Sequence, residues 1–127
     1  MRAWLAVAAL NGFMTVALGA MGAHALRGVL APDRLGWLDT GLRYHMLHTL
    51  ALLAVAILLS LPGDRARRSL HIAAAAFTAG IVLFSGGLYV MALTEIRGLG
   101  VVVPFGGTLF LAGWIALLVA ALRGPRG

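Results

Sequence analysis

The chain has 127 residues, 61% of them hydrophobic and 11% charged, and its mean hydropathy is +0.98. A soluble domain is about 45–50% apolar and about 25% charged, so this balance excludes an ordinary soluble fold and indicates an integral membrane protein. The net charge of +6 comes from ten arginines, with no lysine, against four acids. Those arginines are scattered between apolar runs, which argues against a nucleic-acid-binding face and suits anchoring at lipid headgroups.

Four apolar runs follow one another, at roughly 3–22, 41–61, 70–94 and 104–122. Each is long enough to span a bilayer. They leave no room for a second domain, so one four-helix transmembrane domain over 1–127 is expected, all-α throughout. In the first run, Ala23-His24-Ala25 resembles a signal cleavage site. The apolar core is longer than the roughly 7–15 residues of a signal segment, however, and Arg2 alone makes a poor basic lead. A retained span is expected. Asn11, Thr15, Gly19 and Gly22 recur at spacings of four, four and three, with Ala8 on the same face. Small and weakly polar residues on one stripe mark a helix contact in lipid.

Between 23 and 40 the apolar pattern breaks, with His24, Arg27, Asp33, Arg34 and Asp39 among leucines. Pro32 suits the first turn of a helix, where its missing N–H goes unmissed. The second helix is therefore expected to begin near Pro32 or Asp33 and to run to Leu61, roughly 43 Å at 1.5 Å per residue. That exceeds the roughly 30 Å hydrocarbon core, so its first turns extend into the interface, with Trp37 as an anchor. Leu61-Pro62-Gly63-Asp64 ends it.

The transmembrane part of this helix is polar at one end, with Arg43, Tyr44, His45, His48 and Thr49. At about 100° per residue, Gly41, Tyr44, His45, His48 and Thr49 share an arc of about 140°. Such an arc must face a partner helix or a wet cavity. Alternating span directions bring four polar segments to the same membrane half: Gly19 to His24, Arg43 to Thr49, the Phe84-Ser85-Gly86-Gly87-Leu88-Tyr89 segment, and Pro104 to Thr108. The other half is nearly all aliphatic apart from His71. The candidate cluster is thus His24, Arg43, Tyr44, His45, His48, Ser85 and Tyr89. Gly19, Gly22, Gly86, Gly87, Gly106 and Gly107 are the candidate packing glycines, although Gly86-Gly87 and Gly106-Gly107 also fit a local kink or opened backbone.

These histidines admit several chemistries. His45 and His48, one turn apart, together with His24 could bind a metal, but no acid is placed to orient the rings. His24 and His48 could hold a haem. They could equally hydrogen-bond Asn11, Thr15, Ser85 or Tyr89 and bind the bundle together, which is the favoured reading, with no cofactor or metal. Inside the spans no acid is present for proton coupling. Ser85 lacks the G-x-S-x-G elbow, and phosphate-loop and dinucleotide patterns are missing. No catalytic residue is assigned, and a non-enzyme is expected.

Four segments in order resemble one family: GAMGAHAL (19–26), TGLRYHMLHTLAL (40–52), GIVLFSGGLYVMALT (80–94) and VPFGG with GW (103–107, 113–114). They are similar to the small bacterial membrane proteins of domain of unknown function 423, to which a small animal transmembrane family is related. Members usually read GAFGAH, FSGS and TPxGG. Met21, Gly87 and Val103 depart from this, the last two by removing a hydroxyl from the polar end. The resemblance implies a four-helix inner-membrane protein and supplies no activity.

Two function classes follow. One is a structural or accessory protein that binds itself or another membrane protein, supported by small-residue stripes such as Ala112, Ala116 and Ala120. The other is a small-molecule, lipid-headgroup or metal-binding or transport module at the polar end. Membrane lipids are partners in either case. With both termini cytoplasmic, six arginines (Arg2, Arg65, Arg67, Arg68, Arg123, Arg126) lie inside and four (Arg27, Arg34, Arg43, Arg97) outside, the orientation that the positive-inside rule favours.

Overall fold

The computed structural model describes residues 2–63 and 65–124; Asp64 and Arg126 lie outside the described residues. Five helices form four spans: α1 (Arg2–Met21), α2 (Pro32–Ser60), α3 (Arg67–Gly80), α4 (Gly86–Thr94) and α5 (Val103–Arg123). A π-helical turn, Gly22–Leu26, prolongs α1, and a second, Ile81–Ser85, joins α3 to α4 within the third span. Among the described residues there is no β-strand. All four spans are long and apolar enough to cross a membrane.

The start of α2 follows the expected logic, with Pro32 in its first turn and Asp33 close behind. Its 29 residues carry the helix through the interface as well as the hydrocarbon. The preceding connection turns at Gly28, whose φ of +101° a side chain would resist. At the far end, Arg67 donates from Nη1 to the Leu59 carbonyl at 3.0 Å, covering the negative end of α2.

The second and third spans form the central pair, about half buried, while α1 and α5 flank them with most of their surface outward. α1 packs on α2 through Ala8, Asn11 and Thr15, as the small-residue stripe predicts. α5 packs on α3 and on the π turn. Its seam with the third span alternates glycine and phenylalanine: Gly80 faces the Phe110 ring, Gly113 the Phe77 ring, and Gly106 the Phe84 backbone. A Cβ on Gly113 would stand 2.6 Å from the Phe77 ring, closer than any real contact. Glycine here brings two backbones together in a setting where lipid gives no hydrophobic drive to do so.

A smaller apolar cluster of Leu38, Leu42, Tyr89 and Ala92 lies at the histidine end, and the larger one runs from beside His48 into the opposite half. Leu52, Val55 and Leu59 of α2 meet Leu70, Ala73, Ala74 and Phe77 of α3 and Ala120 of α5. Ala120 and Ala116 are thus spent inside the bundle, and of that stripe only Ala112 is exposed. The outward faces of α1 and α5 carry large apolar residues instead, among them Phe13, Val16, Leu111 and Leu122.

Candidate functional site

The polar end is organised by α2. Gly41 and His45 lie one turn apart on the face that meets α4. A Cβ at Gly41 would come within 2.8 Å of the Tyr89 ring, so glycine there lets the ring lie close against the helix with its hydroxyl at His45. The Tyr89 hydroxyl stands 2.8 Å from His45 Nδ1, and Asn11 Oδ1 of α1 stands 2.8 Å from His45 Nε2. His45 is 1% exposed, so both bonds are made out of contact with solvent and lipid.

These partners fix the proton positions. Asn11 Nδ2 donates to the Val7 carbonyl at 2.8 Å, which leaves its Oδ1 as acceptor. His45 must then donate from Nε2 and accept the Tyr89 O–H at Nδ1. Thr49 donates to the His45 carbonyl at 2.7 Å, and Ser85, at the end of the π turn, donates to the Gly41 carbonyl at 2.8 Å. Three spans are riveted within one helical turn of α2.

His48 faces α5. Its Nδ1 lies 2.7 Å from the Tyr44 carbonyl and its Nε2 accepts the Trp114 indole N–H at 3.0 Å. An indole only donates and a carbonyl only accepts, so His48 is neutral with its proton on Nδ1. The ring stacks on Phe110, with centroids 3.6 Å apart and planes 9° apart, and Phe77 lies 5.5 Å away. Tyr44 extends this aromatic layer toward Phe84, at 4.6 Å.

Of the sequence-predicted cluster, His45, Ser85 and Tyr89 come together with α2, and His48 joins the adjoining aromatic layer through Tyr44. His48 faces the bundle, but its partners are Trp114 and the Tyr44 carbonyl, not Asn11, Thr15, Ser85 or Tyr89. His24 and Arg43 stand outside the cluster, both exposed. Arg43 precedes His45 by two residues, about 200° around a helix of 3.6 residues per turn. His24 is carried outward on the π turn that ends α1.

The glycines divide likewise. A Cβ added at Gly22 would stand 3.0 Å from the Leu38 side chain and one at Gly87 3.0 Å from Val103, so both positions are tight. Gly106 packs on the Phe84 backbone, while a Cβ at Gly107 would make only ordinary contact with the Phe84 ring. Gly19 has open space where a Cβ would stand, and a Cβ at Gly86 would meet only the Ile81 carbonyl of its own span. That carbonyl accepts the Gly86 N–H, the five-residue bond of the opened backbone. Close packing and an opened helix therefore occur together, one at Gly106 and one at Ile81–Ser85.

Sequence reasoning missed Trp114 and Phe110 as site residues. A signal for Trp114 existed: it sits well inside the fourth span, where an indole N–H needs a partner. At the membrane half opposite the cluster, Trp4 donates to Nδ1 of His71 at 2.9 Å, tying α1 to α3. Among the described residues, no buried side-chain nitrogen or oxygen lacks a partner, and no three His, Cys, Asp or Glu side chains are grouped to hold a metal ion.

A family model described as "Protein of unknown function (DUF423)" matches residues 18–107. The chain is 43% identical over 120 residues to a UPF0382 membrane protein of Haemophilus influenzae, covering 94% of each chain. It is 43% identical over 125 residues to the UPF0382 inner membrane protein YgdD of Escherichia coli K12, covering 98% of this chain and 93% of that one. Over 125 residues it is 40% identical to the UPF0382 membrane protein YwdK of Bacillus subtilis, covering 97% and 98%. No solved structure matches the chain.

Proposed function

This chain belongs to the family described as Protein of unknown function (DUF423), and from that premise we propose that it is a structural or accessory protein of the inner membrane, not an enzyme, whose histidine cluster holds its own helices together. The observation that carries this reading is the saturation of the cluster. All four ring nitrogens of His45 and His48 are engaged by Tyr89, Asn11, the Tyr44 carbonyl and Trp114. A ligand or metal would have to displace one of these bonds first. The alternative of a binding or transport module draws less support, because His24 and Arg43 do not face the other donors.

Partners bind to the outside of the bundle in this reading. The exposed apolar faces of α1 and α5 offer a second copy, or another membrane protein, a surface that does not compete with the internal seams. Both termini face the cytoplasm, as the arginine distribution favours.

Cross-linking in native membranes followed by mass determination tests the proposal. A defined oligomer or a co-purifying subunit is expected. A monomer carrying a stoichiometric metal or small molecule that is lost in His45→Ala would overturn it.

A further inference from the structure

The end of the molecule away from the histidines has a second feature. A cleft of about 580 Å³ lies between the ends of α2 and α5. Leu58 lines it from α2, Leu70 from α3, Leu117 and Ala121 from α5, and Arg65 from the connecting loop. The lining is almost wholly aliphatic, and the size lies within the roughly 300–1,000 Å³ of ordinary ligand sites. Leu58 and Ala121, which line it, are both exposed, so the cleft is open to the surroundings of the bundle.

Charge selects the occupant. Arg65, Arg68 and Arg123 are exposed at this end. Asp33, Asp39 and Glu95 belong to the other end, where Asp33 and Glu95 pair with Arg97 and Arg34; the fourth acid, Asp64, adjoins Arg65 in the sequence and lies outside the described residues, which still leaves this end with an excess of arginine from Arg65, Arg67, Arg68 and Arg123. Helix α3 also begins here without a side-chain cap, at Ala66, which lines the cleft. Its first N–H groups suit an anion. The negative end of α2, which would repel one, is covered by Arg67.

We propose that this cleft is a binding site for an anionic phospholipid, with one acyl chain in the cleft and the phosphate held by Arg65, Arg123 and the first turn of α3. Aliphatic surface takes the chain, and Arg65, which lines the cleft, takes the headgroup together with Arg123, the neighbour in sequence of the lining residue Gly124, at the depth where phosphates lie. A second copy of the protein fits less well, since a two-fold contact through this cleft would bring the same arginine-rich patch of both copies together. The site is remote from His45 and His48, so it stands whether or not the accessory reading does.

The test is native mass spectrometry of the full chain from mixed vesicles of phosphatidylglycerol and phosphatidylcholine with matched acyl chains. The wild type should retain one phosphatidylglycerol in preference. Arg65→Gln and Arg123→Gln should each lower that preference about fivefold, the worth of one arginine near an anionic surface. Ala121→Trp and Leu58→Trp, which fill the cleft, should abolish retention of both lipids, with thermal unfolding reporting that each variant is folded. Equal retention of the two lipids, a preference unmoved in both arginine variants, undiminished retention in both filling variants, or a dimer cross-linked through Ala121 would each overturn the proposal.

Discussion

Trp114 of α5 donates its indole N–H to Nε2 of His48 on α2 at 3.0 Å, and this bond joins two helices whose backbones are held mainly by the spans between them. Its net worth is set by the membrane setting. Interhelical hydrogen bonds in lipid average about 0.6 kcal/mol and reach at most about 1.7, because the separated helices find other partners. A double-mutant cycle of His48→Leu and Trp114→Phe, read by denaturant titration in detergent, should give a coupling in that range. His48→Gln should cost less than His48→Leu, since an amide can still accept from Trp114. A coupling of zero would mean that the pair adds packing alone.

The two imidazoles should be opposite tautomers. His45 donates to Asn11 Oδ1 and so carries its proton on Nε2; His48 accepts at Nε2 from Trp114 and carries it on Nδ1. Nitrogen NMR of labelled histidines distinguishes these forms directly. In Trp114→Phe the His48 signal should shift while His45 stays in place. Two identical tautomers, or a doubly protonated ring at neutral pH, would contradict the network.

Much of this was legible beforehand for a physical reason. Span lengths follow from bilayer thickness, and the polar arc of α2 follows from helix periodicity, so the membrane fold and the inward face of His45 and His48 are written in spacing. Asn11 and Tyr89 were among the candidate partners because they lie at the depth of the histidines. What spacing does not carry is which neighbour occupies a given part of the arc. His45 and His48 differ by three residues, about 60° apart at 100° per residue, and that difference sends one to α1 and α4 and the other to α5. The opened turn at Ile81–Ser85 adds a residue without changing the apolar pattern, so only the neighbouring glycines hinted at it. The stripe of Ala116 and Ala120 was visible, but a small-residue stripe reads alike whether its partner lies within the chain or outside it.

At the interfacial end, two arginines of similar appearance should differ in weight. Arg34 donates from Nε to the Ala92 carbonyl at 2.7 Å and pairs with Glu95 at 3.4 Å, its side chain 18% exposed. Arg97 pairs with Asp33 at 3.4 Å and lies over the Trp37 ring at 5.2 Å, but is 69% exposed. Losing the charged hydrogen bond of Arg34 should cost about 1.5–3 kcal/mol. Arg97→Ala should cost less than about 1 kcal/mol, the usual worth of an exposed pair. Thermal unfolding of the two alanine variants checks the order, and equal losses would contradict it.

Orientation has its own measurement. Reporter fusions in the loop at Arg65 to Arg68 and after Arg123 should read cytoplasmic, and a fusion at Gly98 should read outside. Replacing Arg65, Arg67 and Arg68 together by glutamine should weaken that preference, because arginines near span ends set it. An outside reading at both of the first two sites would reverse the proposed topology.

The last expectation separates two glycines that look alike in sequence. Both Gly106 and Gly19 fall in small-residue patterns at the polar end. At Gly106 a Cβ would lie 2.7 Å from the Phe84 Cβ and 2.8 Å from its Cα. Backbone cannot swing aside as a flexible side chain can, so α5 itself would have to move away from the third span. Overpacking of this kind costs about 1–3 kcal/mol. The displacement would also spread, because Phe110 lies one turn further along α5 and carries the stack on His48. Gly106→Ala should therefore lower the unfolding midpoint and weaken the Trp114–His48 bond, visible as a shift of the His48 nitrogen signal. At Gly19 nothing stands within 4 Å of the added Cβ, and alanine removes backbone freedom from a helix, so Gly19→Ala should be neutral or stabilising by up to about 1 kcal/mol. If the two variants unfold together, the close approach of α5 to Phe84 is not what holds the fourth span in place.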